Sequence, residues 1–455
     1  MAEDAGLVVV ADVEVDAVAP DAGPSVLRDC ADAEAYVASV CFKHGPPRLI
    51  GVELEWLLHR PPTPDAPLDP HMLAAALGRY TPTTLNPSSP ACLLPAGSQV
   101  SLEPGGQIEL ASPPLPDLGG LLQTVRADAD VLHRLLAARG LQPHCRAADP
   151  LRPPLRVLDV PRYRAMEQAF DRFGPYGRSG MCSTAAVQVC VDAGEGADVA
   201  RRWAAVHALG PVLLAAFANS PMLHGRRTGW KSSRWVCWQH ADPARTAPPP
   251  VSDTAGADPA VAWARRVLAS PVLCVRRDGP WQVPERVSFA DWIDGALPMP
   301  PPTTADLDYH ISTLFPPVRP HGHLEIRYVD AQPGRRWALP VAVLTALLAD
   351  PGVTDRAREA CEPAQGRWAS GARYGLADRV LARAAATVFE LAWTQLRAVG
   401  APAWIVEDLG AMTERQVLRG LCPADDPQAV LPEMGLSEMG LPEMGTPQIS
   451  EGEFA

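Results

Sequence analysis

The stretch SLEPGGQIELASPP, residues 101–114, sets Glu103 and Glu109 around a Gly-Gly pair and interleaves them with Leu102, Ile108 and Leu110. Side chains along a strand point alternately to opposite faces, so Gln107 and Glu109 share one face and Ile108 and Leu110 the other. Three more stretches alternate in the same way: GVELEW (51–56), AAVQVCVD (185–192) and HLEIRYVD (323–330). One set of faces collects Glu53, Glu55, Gln107, Glu109, Gln188, Cys190, Glu325 and Arg327. The opposite set collects Val52, Leu54, Ile108, Leu110, Val187, Val189, Leu324 and Ile326. A half-solvated antiparallel sheet explains any one of these strands. Four strands that all carry Glu or Gln inside the alternation describe a floor of acids, amides and an arginine above an apolar core.

Clustered carboxylates repel one another unless protons or cations lie between them. Mg2+ prefers oxygen ligands and usually takes one or two carboxylates together with phosphate oxygens. The floor therefore reads as a Mg-nucleotide site. Gly105 and Gly106 read as a hinge that lets the chain bend close to a ligand. Anion binding is expected from ANSPMLHGRRTGWKSSRWVCWQHADPART (218–246), which concentrates Arg226, Arg227, Lys231, Arg234 and Arg245 among Gly, Ser and Trp. The segment is too irregular for a helix face and reads as a long structured loop, a kind usually tied to function. Arginine forks suit carboxylate and phosphate recognition.

Composition bounds the remaining choices. The chain has 455 residues, 47% hydrophobic and 20% charged, which is the composition of a soluble globular protein. A net charge of −12 argues against a general nucleic-acid binder. The ten cysteines are scattered singly, as in a reducing cytosol. No apolar run reaches the roughly 18 residues of a membrane helix, and the acidic start is unlike a signal peptide. A cytoplasmic protein with no membrane partner is the expectation. Lys43 and Lys231 are the only lysines, and the Arg, Ala and Pro excess points to a GC-rich bacterial genome. Residues 1–29 read as an acidic tail. Residues 423–455, with the repeat LPEMG, LSEMG, LPEMG over 431–445, read as a disordered tail. One domain, 30–422, lies between them. Helices are expected over 118–139, 197–218 and 376–399. Neither GxxxxGK[ST] nor GxGxxG is present. HGH (321–323) has the wrong spacing for zinc and reads as a turn.

SLEPGGQIEL, MCSTAAVQVCVD, FANSPMLHGRRTGWKSSRW and DYHISTLFPPVRPHGHLEIRYVDAQP resemble, in order over about 48–350, the plant and bacterial type of glutamate–cysteine ligase. The Arg/Ala/Pro bias places the resemblance nearest the actinobacterial branch that serves ergothioneine biosynthesis. It implies an α+β fold similar to glutamine synthetase and the guanido kinases, an antiparallel sheet forming a funnel floor with helices outside. It implies that ATP phosphorylates the γ-carboxylate of L-glutamate and that the amine of L-cysteine displaces phosphate. On this reading Glu53, Glu55, Glu103, Glu109 and Glu325 carry Mg2+, with Gln188 beside them. Arg234 and Arg327 are the catalytic pair; Arg226, Arg227, Lys231, Gln188 and Thr184 hold ATP, and Trp235 is a weaker candidate. The plant enzymes' regulatory cysteines find no match, and 351–422 resembles the family least. Another amine acceptor, or a noncatalytic nucleotide- or glutamate-binding relative, are the alternatives.

Overall fold

The computed structural model describes residues 23–426 except Cys145, Ala255, Ala257 and Asp278. Nine strands occur among them: β1 Ile50–His59, β2 Gln99–Leu102, β3 Ile108–Ala111, β4 Gln142–His144, β5 Ala186–Val191, β6 Met222–Leu223, β7 Arg226–Arg227, β8 Val318–Pro320 and β9 Leu324–Asp330. Six of them form an antiparallel sheet in the order β2-β3-β1-β5-β9-β8, and β4 extends it by pairing with the far end of β1. β6 and β7 make a separate hairpin.

The register brings the polar faces together as the alternation requires. Glu55 lies opposite Glu109, Glu53 opposite Gln188, and Cys190 opposite Glu325. The other face is apolar, with Val52, Leu54, Ile108, Leu110, Val187 and Val189 all in the main core. Helices Leu118–Ala137, Ala197–Phe217 and Ala338–Leu348 pack behind the sheet. The Tyr328 hydroxyl donates to the Val206 carbonyl (3.1 Å), which ties β9 to the longest of these helices. The fold is α+β, as the sequence implied.

β9 departs from simple alternation. Val189 pairs with Ile326, but Val187 pairs with Val329, so Arg327 and Tyr328 together face a single residue of β5. Such a bulge resets the period. Asp330 lies opposite Ala186, whose parity matches Gln188. The bulge therefore returns Asp330 to the polar face that Glu325 and Arg327 occupy, where strict alternation would have sent it into the core.

The helices expected over 118–139, 197–218 and 376–399 are Leu118–Ala137, Ala197–Phe217 and Arg379–Ala398. Leu118, Leu121, Leu122, Val125 and Leu132 are buried as the spacing required, with Leu136 rather than Leu135 completing the stripe. Asp117 and Asp378 cap their helices by accepting backbone N–H bonds, which satisfies donors that a helix start leaves open. The segment 218–246 is more regular than expected: helix Ser233–Ala241 begins at Ser232, whose hydroxyl accepts from Trp235 N. That helix is anchored by Trp235, which stacks on Trp368 with ring centroids 4.8 Å apart. Trp368 in turn lies against Gly210, where a Cβ would occupy the space of its ring.

Residues on the tail side of both expected boundaries pack against the domain. Leu27 is buried and donates its N–H to Pro302 O, and Asp29 caps helix Cys30–Cys41. Ala424 is buried and Asp425 pairs with Lys231, so the ordered chain passes both 29 and 423. Residues 1–22 and the LPEMG repeat lie outside the described residues.

Candidate active site

A cavity opens over the polar face of the sheet. Glu53 and Glu55 reach it from β1, Glu109 from β3 and Glu103 from the β2–β3 turn, while Arg234, Arg319 and Arg327 line the opposite side. Tyr163, Trp238 and Phe315 are among its apolar walls.

On the acid side, oxygens of Glu55, Glu103 and Glu109 all lie within 4.8 Å of one another. Their placement is held by neutral donors. Gln188 Nε2 donates to Glu53 Oε2 (3.0 Å) and to Glu55 Oε1 (2.8 Å), and Ala186 N donates to Glu55 Oε2 (2.8 Å). Ser101 Oγ donates to Glu109 Oε1 (2.6 Å). Burial raises the Glu53 carboxyl well above the usual range, and the charges of Glu109 and Glu325 raise it further. Burial raises Glu55 as well. Three carboxylates converging on one point, beside carboxyls that resist ionisation, fit a hard divalent cation. The Gln188 Oε1 and Gln107 Oε1 atoms are buried without a hydrogen-bond partner among the described residues, which leaves acceptors open toward a ligand.

The arginine side is organised differently. Arg319 lies directly across from Glu325 in the β8–β9 pair and donates to both of its oxygens (2.7 and 3.2 Å). Arg327 pairs with the same carboxylate. Burial opposes ionisation of Glu325, but the two guanidiniums outweigh it and hold the carboxyl well below the carboxylate range. Glu325 is thus neutralised by protein cations and stands outside the three-acid cluster, which corrects its assignment to metal. The correction has a register origin: β8 places Arg319 opposite Glu325, and the alternation of β9 alone could not show that. Arg234, from the first turn of helix Ser233–Ala241, is buried, donates through Nη2 to Arg327 O (2.7 Å), and has an unpartnered Nε.

Other expectations are corrected by position. Arg226 and Arg227 are exposed on the β6–β7 hairpin and do not line the cavity, because the Gly225 turn (φ +82°) carries them outward. Lys231 pairs with Asp425 instead of reaching the cavity. Trp235 is a core anchor. One helical turn on, Trp238 lines the site and donates Nε1–H to Thr184 Oγ1 (3.2 Å). Thr184 and Gln188 both line the cavity as expected. The Gly-Gly pair serves the protein instead of a ligand: a Cβ on Gly105 would collide with the Cys182 backbone, and Gly106 sits at φ +83°. Only residues without a Cβ let this turn press so closely and present Glu103. Sequence reasoning missed Arg319, Trp238, Phe315 and Asp330. Trp238 shares a face with Trp235 at i+3, but nothing in the sequence says which tryptophan meets the cavity.

Comparison with known proteins finds a matching family. A family model described as Glutamate-cysteine ligase family 2 (GCS2) matches residues 49–451. The chain is similar to the glutamate–cysteine ligase EgtA of Mycobacterium tuberculosis, 39% identical over 422 residues that cover 91% of this chain and 92% of that protein. It is 40% identical over 407 residues to the EgtA of Mycolicibacterium smegmatis, covering 89% and 92%. The chloroplastic glutamate–cysteine ligase of Brassica juncea is 33% identical over 266 residues, 56% of this chain and 50% of that one. Among solved structures, the glutamate–cysteine ligase of Francisella tularensis in complex with AMP aligns over 84% of each chain, with 12% identity and a TM-score of 0.47.

Proposed function

The chain belongs to glutamate–cysteine ligase family 2, and from that premise we propose that it joins the γ-carboxylate of L-glutamate to the amine of L-cysteine using ATP, giving γ-glutamylcysteine. We further read it as a cytoplasmic enzyme of ergothioneine biosynthesis. The nine described cysteines are all free thiols, and among the described residues no single helix is long and apolar enough to cross a membrane. The observation that carries the reading is the divided cavity, with three convergent carboxylates on one side and three arginines on the other.

The chemistry divides along the same line. A γ-carboxylate oxygen of glutamate attacks the γ-phosphorus of ATP, a new P–O bond forms, and ADP leaves. The cysteine nitrogen then attacks the acyl carbon, a C–N bond forms, phosphate departs and the nitrogen loses a proton. Both reactants of the first step are anions, so their approach requires countercharge. Glu55, Glu103 and Glu109 would hold Mg2+, with Glu53 and Gln188 setting the orientation of Glu55. Bound there, the ion would neutralise phosphate oxygens and keep attacking and leaving groups in line. Arg327 is kept charged: burial works against it, but Glu325, Glu55 and Glu53 prevail. Arg234 and Arg327 offer fixed donors to the substrate's anionic oxygens, an arrangement that loses no energy to reorganisation during the reaction. Trp238, Phe315 and Tyr163 form an apolar wall that limits water at a hydrolysable acyl phosphate.

The test is ADP release by the full-length protein with ATP, Mg2+ and glutamate against a panel of amines. Cysteine-dependent release, matched one to one by γ-glutamylcysteine, is the expected outcome. Preference for another amine would transfer the reading to a different carboxylate–amine ligase. No release with any amine would favour a noncatalytic binding protein.

A further inference from the structure

Asp330 is the most enclosed acid near the cavity, with no solvent exposure. It is reached from two separate parts of the chain, 219–220 and 232–234. Asn219 N and Ser220 Oγ donate to Oδ2, each at 2.8 Å, and Ser232 Oγ donates to Oδ1 at 2.8 Å. Arg234 Nη1 stands 3.8 Å from Oδ1, inside ion-pair range and beyond a hydrogen bond. The same hydroxyls fix the backbone that carries Arg234: Arg234 N donates to Ser220 Oγ and Trp235 N to Ser232 Oγ, both at 3.2 Å.

We propose that Asp330 is a positioning residue for Arg234, supplying its countercharge while three neutral donors keep the carboxylate from closing onto the guanidinium. The inference rests on the reading of Arg234 as a substrate contact. Its logic is clearest beside Arg327, whose guanidinium does close onto a carboxylate, that of Glu325. A buried arginine needs an anion nearby, because an isolated buried charge is costly. A direct two-point salt bridge would meet that need but would use the donors that a substrate requires. Asp330 meets it at a distance, with three of its roughly four acceptor sites occupied by Asn219, Ser220 and Ser232. Arg234 lines the cavity, and its buried Nε is left without a hydrogen-bond partner among the described residues. Without Asp330, the remaining anion that acts on Arg234 is Glu55. The guanidinium would then be drawn toward the acid cluster and away from the substrate. The β9 bulge is the structural device behind this, because it alone places Asp330 on the polar face.

The experiment is a double-mutant cycle in kcat/KM for glutamate, using wild type, Arg234→Lys, Asp330→Asn and the double variant. Interacting residues give non-additive effects. Asp330→Asn is expected to lower kcat/KM at least about tenfold when Arg234 is present, and less than about twofold when position 234 is already Lys. An equal fold loss in both backgrounds would overturn the proposal, since a merely structural acid costs the same with either residue. If Asp330→Asn does not fold, Ser232→Ala takes its place in the cycle. That change releases Oδ1 to pair directly with Arg234, and the same non-additivity is expected. If Arg234→Lys alone retains wild-type kcat/KM, the substrate-contact reading fails and this proposal falls with it.

Discussion

Glu53 and Glu325 are both buried carboxylates on the polar face of one sheet, yet they sit on opposite sides of the usual range. Glu53 is raised by burial, and the charges of Glu109 and Glu325 raise it further. Glu325 is lowered because Arg319 and Arg327 grip it. Burial opposes charge in both, so the partner decides the outcome. Glu325 therefore has its countercharge within the protein, from two guanidiniums, whereas Glu53 is raised further by neighbouring acids.

The largest effects should come from removing charge on the acid side. Glu55→Gln, Glu103→Gln or Glu109→Gln is expected to cut turnover by on the order of 10²–10³ and to raise the Mg2+ concentration needed for half-maximal rate. Thermal melting without Mg2+ should stay level or rise, because each change relieves repulsion among carboxylates. Rates titrated against Mg2+, with melting curves in parallel, check both halves. Near-normal activity in all three variants would be fatal to the metal assignment.

Glu325→Gln should behave in the opposite sense. It leaves the partly buried Arg319 and Arg327 beside one another without the carboxylate they share. Breaking a buried pair by removing one partner costs about 3–5 kcal/mol. Denaturant unfolding should show that loss in Mg2+-free buffer, where the three cluster variants show none. If Glu325→Gln unfolds like wild type, the two sides do not differ as described.

A smaller, pH-dependent effect sharpens the same contrast. Glu53 has a folded pKa above its ordinary 4.5, so the folded state binds its proton more tightly than the unfolded state. Its contribution is fully present below about 4.5 and is lost as the pH rises toward the folded value. Glu325 has a folded pKa below 4.5; its contribution is present above 4.5 and is lost as the pH falls. Above pH 4.5 the metal-free protein should therefore be strained mainly on the acid side, and the gain in melting temperature on adding Mg2+ should be larger at pH 8 than at pH 5.5. Glu53→Gln should flatten that trend and Glu325→Gln should not. A Mg2+ shift that is independent of pH would separate Glu53 from the cation site.

Period-two alternation made the acid side legible, because Glu53, Glu55, Glu109 and Gln188 sit on strands whose register brings like faces together. The arginine side was only partly legible. Arg327 follows from alternation, but Arg319 lies on a three-residue strand too short to show a period, and Asp330 is on the polar face only through a bulge. The Gly-Gly pair was visible while its purpose was not, because the surface that Gly105 approaches, Cys182, is far away in sequence. Local pattern reports which face a side chain takes. It does not report what stands opposite.

Arg226 and Arg227 give that lesson its smallest test. By composition they belong with Arg234: one segment, the same residue type, the same Gly and Ser neighbours. By position they are solvent-exposed hairpin residues, turned outward at Gly225, with no part in lining the cavity. Exposed charges away from a site interact weakly and are screened by salt. Arg226→Ala and Arg227→Ala, singly or together, should change kcat/KM for ATP by less than about twofold and leave melting temperature unchanged, as is usual for surface substitutions. Arg234→Ala, a few residues further on, should lose on the order of 10²–10³ in rate. A large rise in the KM for ATP in the Arg226/Arg227 double variant would mean that the hairpin folds over the cavity during turnover. The distinction between an exposed basic hairpin and a buried cavity-lining arginine would then hold only for the resting protein.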